Sequence, residues 1–144
     1  MAIKTEHIKA LLREVQQDNQ HYQQLIALLE QQHSAMISCN SPQLTDLNQQ
    51  LLACYQQLRE SAQRRVNSLK ILGLPANSEG MRQLLSTLPS GLSERAAGWW
   101  QRLEQQTERC QQINSRNGRL LHAQQETFAA LINSSSAGDF LYAE

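Results

Sequence analysis

The chain has 144 residues, 13 Lys plus Arg against 13 Asp plus Glu, 21 glutamines, 3 prolines and 6 glycines. That length is one domain's worth, and the balanced charge creates no field that would hold nucleic acid or an anionic membrane, so neither a second domain nor a polyanion partner is expected. A glutamine-rich, proline-poor composition favours long helices over sheets, and the expected fold class is all-α.

The first residues, MAIKTEHIKALLREV, interleave charges with apolar side chains and lack the unbroken apolar core of a signal peptide. No apolar run approaches a membrane-spanning length, so a cytoplasmic protein without stable membrane insertion is expected. From Thr5 to about Ser38, Ile8, Leu11, Leu12, Val15, Tyr22, Leu25, Ile26, Leu29 and Met36 recur at three- and four-residue steps. This spacing places them on one stripe of a helix roughly 50 Å long. The turn CNSPQL follows, with Ser41 as the expected cap of the next helix and Pro42 at its first position, where a missing N–H costs nothing.

The second stripe runs through Leu44, Leu47, Leu51, Cys54, Tyr55, Leu58, Ala62, Val66, Leu69 and Leu72, and Gly73 with Leu74-Pro75 stops it. Arg64, Arg65 and Lys70 near its end suit the helix dipole and read as a solvated face. Residues 73–93 form a Pro/Gly/Ser-rich connector around a short amphipathic helix bearing Met81, Leu84, Leu85 and Leu88. Ser93 is the expected cap of a third long helix of roughly 40 residues, whose stripe continues to Leu131 and Ile132. Within it the neighbours Trp99 and Trp100 point about 100° apart, so one is expected in the core and the other at an edge.

The result is an antiparallel bundle of three long helices with a short connecting helix and coiled-coil-like seams, spanning residues 1–133. A flexible C-terminal tail, residues 134–144 (NSSSAGDFLYAE without its first Asn), is expected beyond it. The third helix outruns its partners by up to about ten residues, or roughly 15 Å. Its stripe from Leu120 to Ile132 would then lack an intramolecular partner, which marks a binding surface for another helix.

Catalytic chemistry is hard to find. A di-iron bundle needs two Glu-x-x-His motifs, and Glu30-Gln31-Gln32-His33 stands alone; the gaps between His7, His21 and His33 do not make one metal site. His122 and Glu126 are an ordinary i,i+4 surface pair. Cys39, Cys54 and Cys110 lack CxxC spacing and read as small buried or half-buried hydrophobes. No enzymatic activity, metal or cofactor is expected.

The stretch WQRLEQQTERCQQINSRNGRLLHAQQ, residues 100–125, resembles the FlgN family of flagellar type III export chaperones. Asn114, Asn117, Gly118, Leu120, Leu121 and Gln124 fall on that family's N-x-x-N-G pattern with its hydrophobic pair and Gln. Leu141, Tyr142 and Ala143 resemble its terminal Leu-Tyr-small motif. The resemblance implies a cytosolic chaperone that binds the C-terminal helices of hook-filament junction proteins of the FlgK and FlgL types and delivers them to the export gate protein FlhA. The substrate surface is then expected on Ile113, Asn117, Gly118, Leu120, Leu121, Gln124, Phe128, Leu131 and Ile132, and the gate contact on Leu141 and Tyr142. A homodimer of the unliganded protein, or a permanent homo-oligomeric adaptor, would use the same stripe.

Two asparagines and a glycine are costly inside a helix. Asn117 and Gln124 share a face with Leu121 and Phe128, so they suit a register-setting polar layer. Gly118 suits that layer, a notch for a docked backbone, or strain that the helix simply tolerates.

Overall fold

The computed structural model describes the backbone of residues 2–143 and the side chains of residues 4–133. The described backbone forms α1 (Ala2–Ile37), α2 (Ser41–Ile71), α3 (Ser78–Ser86) and α4 (Ser90–Ala143). The proposed boundary at 133/134, the tail and the gate residues Leu141 and Tyr142 lie outside the described side chains.

Helix ends are set by local chemistry. α1 closes with Cys39 in the left-handed region (φ 53°), while Cys39 N–H donates to Met36 O and Asn40 N–H to Ala35 O. The same pair of bonds, Gly73 N–H to Lys70 O and Leu74 N–H to Leu69 O, ends α2 with Gly73 at φ 74°. Both are Schellman closures, which use up carbonyls that a helix end otherwise strands. The expected cap of α2 is corrected: Asn40 Oδ1 accepts from Gln43 N–H at 3.1 Å, which puts Ser41 already inside the helix. Ser93 is likewise not a cap, because its hydroxyl donates to Leu85 O at the end of α3, and α4 begins three residues earlier at Ser90. Gly80 is needed for space, since a Cβ there would collide with the carbonyl oxygen of Pro75.

α1 is the central element. α2 packs antiparallel along one side of it and α4 parallel along another, while α3 packs on α4 near the bundle end. The seam of α1 follows a heptad, Leu11, Val15, Asp18, Tyr22, Leu25, Leu29, Gln32 and Met36, and alternating steps of four and three keep one edge facing its neighbours. Two apolar clusters result. One joins Leu11 and Val15 to Leu69, Met81, Leu84, Ala96, Trp100 and Leu103; the other joins Leu25 and Leu29 to Leu47, Leu51, Leu58 and Ile113. Trp100 is the core tryptophan and Trp99 the edge one.

Between the clusters lies a polar layer that stripe-reading did not expect. Asp18 is 2% exposed, accepts from Ser61 Oγ at 2.7 Å and pairs with Arg65 Nη1 at 2.9 Å. The Arg65 guanidinium also lies 5.5 Å from the centroid of the Trp100 ring. Arg65 is thus a half-buried cross-link among three helices, which corrects its assignment to a solvated face. Nearby, Asn19 Nδ2 donates to Trp99 O at 3.0 Å and fixes α4 against α1.

Two further expectations change. Tyr55 is 40% exposed, because Leu51, Cys54 and Leu58 take the inward positions and a residue one step from Cys54 falls on the rim. Cys39 is exposed because the left-handed closure places it outside the helix, whereas Cys54 and Cys110 are buried. Burial, then the neighbouring Cys54, push the Cys110 thiol up to about 11 against a small lowering by Arg109; burial raises Cys54 as well. A thiol titrating near 11 is roughly 0.1% thiolate at pH 8. A disulfide-exchange reagent at pH 8 should therefore modify one thiol per folded chain quickly, Cys39, and reach Cys54 and Cys110 on unfolding. Two fast thiols in the native protein would contradict this packing.

Candidate docking surface

The last third of α4 begins inside the bundle and ends outside it. Ile113 is buried in the second apolar cluster. Asn117 is 3% exposed, and its Nδ2 donates to Leu29 O at 2.8 Å and to Gln32 Oε1 at 3.0 Å. Its Oδ1 accepts from Arg116, whose Nη2 also reaches Glu30 at 3.3 Å. Gln32 in turn donates to Asn48 Oδ1 at 3.0 Å, so one chain of polar contacts links α4, α1 and α2. Three residues earlier, Tyr55 Oη donates to Asn114 Oδ1 at 3.5 Å. The N-x-x-N pair thus points one asparagine at α2 and the other at α1. A buried amide with all of its bonds made sets register, since a shift of one turn would strand it.

Gln124 closes the shared length of α1 and α4. Its Nε2 donates to Met36 O at 2.8 Å, a carbonyl in the last turn of α1. Beyond it, the described side chains continue to Asn133, about 13 Å further along α4. Phe128 (54%), Leu131 (58%) and Ile132 (64%) are exposed there, as are Leu121 (48%) just before Gln124 and Ile37 (63%) at the tip of α1. The stripe projects as expected, but the helix that carries it runs on to Ala143, further than the roughly ten residues of overhang expected from helix lengths.

The residues assigned to the substrate surface therefore divide. Ile113 and Asn117 are used inside the bundle, Leu120 and Gln124 are half-buried, and Gly118, Leu121, Phe128, Leu131 and Ile132 are open. Gly118 meets no neighbour where a Cβ would stand, so no backbone of this chain approaches it. From Arg119 to Asn133 the charged groups are Arg119 and Glu126, the latter in contact with His122 Nε2 at 3.2 Å. The surface is consequently apolar and nearly neutral, suited to an amphipathic helix rather than to a charged ligand. Sequence reading passed over Leu52 on α2, which is 69% exposed. The signal was the doublet Leu51-Leu52, of which one member alone can enter a seam.

Among the described residues no group of three or more His, Cys, Asp or Glu side chains is placed to hold a metal ion, and no helix is long and apolar enough to cross a membrane.

Comparison with known proteins agrees with this architecture. No curated protein matches the chain significantly. A crystal structure of a candidate flagella synthesis protein, FlgN, from Pseudomonas aeruginosa superposes with a TM-score of 0.70 at 28% identity, covering 85% of this chain and 93% of that one. The family model described as FlgN protein matches residues 1–139, and the chain belongs to the FlgN protein family.

Proposed function

We propose that this chain is a cytoplasmic, non-enzymatic export chaperone that binds the C-terminal amphipathic helices of hook-filament junction proteins of the FlgK and FlgL types. It holds them apart from one another before export and delivers them to the gate protein FlhA. The observation that carries the reading is the apolar stripe of α4, exposed at Leu121 and continuing past the Gln124 contact with the last turn of α1 through Phe128, Leu131 and Ile132. An apolar stripe of this kind is a liability in water unless a partner covers it. Segments that assemble into coiled coils only after export need a temporary apolar partner beforehand, and a projecting helix supplies one.

Calorimetric titration of the full chain with a peptide of a junction protein's C-terminal helix tests this directly. Binding with a negative heat-capacity change, the mark of apolar burial, is expected. Absence of binding, together with a closed dimer that hides Phe128 and Ile132, would replace the chaperone with a homo-oligomeric adaptor.

Gate docking is assigned to the terminal Leu141 and Tyr142, which lie apart in sequence from the stripe. Tyr142→Ala should leave peptide affinity unchanged and reduce binding to the FlhA cytoplasmic domain at least ~10-fold, as loss of a buried tyrosine anchor does. Equal gate binding by the variant would remove the tail from the proposal.

A further inference from the structure

We infer that the client helix does not rest on the projecting stripe alone but continues into the groove between α2 and α4, and that Gly118 is the point where its backbone comes closest. The inference builds on the chaperone reading and assigns the occupant by chemistry: an amphipathic helix whose docking face is uncharged and small opposite Gly118.

The groove follows from the topology. α2 and α4 each pack their backbones on α1 and meet one another through side chains, among them Tyr55 with Asn114 and Arg65 with Trp100. Two adjoining cavities, of about 200 and 320 Å3, lie between them and share Tyr55 and Asn114 on their walls. Leu25, Leu58, Thr107 and Cys110 line the first, and Leu29, Gln32, Leu51 and Leu52 the second. From Thr107 to Asn114 the α4 wall measures about 10 Å, two turns of helix, and Gly118 stands one turn beyond it.

Charge selects the occupant. No Asp, Glu, Lys or Arg lines either cavity, although 18% of the chain is charged, whereas the neighbouring cavity at Trp100 is walled by Arg65, Glu104 and Glu108. A helix burying a charge against the uncharged length would leave it unpaired at high cost, so the matching face carries apolar and amide groups. The rims offer apolar anchors, Leu52 and Tyr55 on α2 (69% and 40% exposed) and Leu121 on α4 (48% exposed), with Arg59 and Glu60 on the outer side of the α2 rim.

Gly118 supplies the second, independent observation. It follows Asn114 by four residues and precedes Leu121 by three, which puts it on the same edge of α4 as the groove. Its backbone is helical, and an added Cβ would meet no atom within 4 Å. The folded chain therefore has no conformational or steric need for glycine there, as it has none at Gly91 and Gly98 in the same helix, and what sets Gly118 apart is its place on the groove edge of α4. A partner backbone passing close to that edge accounts for it.

The test uses the full chain and the same junction-protein peptide. Gly118→Ala should raise Tm by about 3 °C through helix propensity while weakening the peptide about fivefold. Gly118→Leu should weaken it at least ~20-fold, and Leu52→Gln about fivefold with Tm unchanged. Affinity and Tm moving in opposite directions at one residue is the signature, because a residue serving the fold would lose both. If Gly118→Leu and Leu52→Gln bind normally while charges at Phe128 and Ile132 abolish binding, the groove inference falls and the chaperone reading stands. If the unaltered chain binds no peptide, both fall. A homodimer of the free chain that Gly118→Leu dissociates would give the groove to a second copy and overturn the client assignment.

Discussion

Asp18→Ala is expected to lower the unfolding free energy by about 3–5 kcal/mol, the range for removing one member of a buried ion pair, and to lower Tm by roughly 10 °C. The reason is geometric. Arg65 has a side chain 17% exposed, and Asp18 at 2.9 Å is its paired carboxylate; without it a partly buried guanidinium keeps the ring of Trp100 but loses its directly bonded counter-charge. Ser61, which donates to Asp18 at 2.7 Å, loses its acceptor too. Joint replacement by Asp18→Leu and Arg65→Met should recover most of the loss, since an apolar pair of similar volume carries no desolvation penalty and a thioether packs well on an indole. Urea unfolding of the single and double variants measures both quantities. A single-variant cost under about 1 kcal/mol would mean that the layer is hydrated and contributes little.

Introducing Phe128→Glu together with Ile132→Glu should weaken the junction-protein peptide at least ~100-fold, or about 3 kcal/mol, with stability changed by less than about 0.5 kcal/mol. Both positions are more than half exposed in the free chain, so the fold does not depend on them. In the complex each loses apolar area worth roughly 1.5–3 kcal/mol and brings an unpaired carboxylate to a surface with almost no balancing charge. Calorimetry against the unaltered chain, with urea unfolding as the control, checks both halves. Unchanged affinity would move the client away from the end of α4.

These two positions differ in how readily they could be found. The stripe at Phe128 and Ile132 follows from periodicity and length: α4's apolar positions continue after α1's have run out, and the difference in helix lengths is already an exposed surface. The role of Asn117 as a register amide was also legible, because an asparagine at a seam position has few other uses. Asp18 occupied an equally regular seam position between Val15 and Tyr22, but its neighbours Gln16, Gln17, Asn19 and Gln20 made the segment look like a solvated face. Heptad spacing was the available signal, and polarity hid it.

The sequence by itself determined the number of helices, the faces they bury, the overhang of α4 and, through Asn114, Asn117 and Gly118, the family to which the chain belongs. These are properties of single helices or of local order, which the 3.6-residue period and turn chemistry fix without reference to distant residues. Tertiary structure alone decided that α1 is central, that Arg65 bridges Asp18 and Trp100, that Gln124 meets Met36, and that a charge-free groove lies open between α2 and α4. Each of those depends on how helices rotate and register against one another, and that is set by the pairing of side chains tens of residues apart, which no periodicity within one helix encodes.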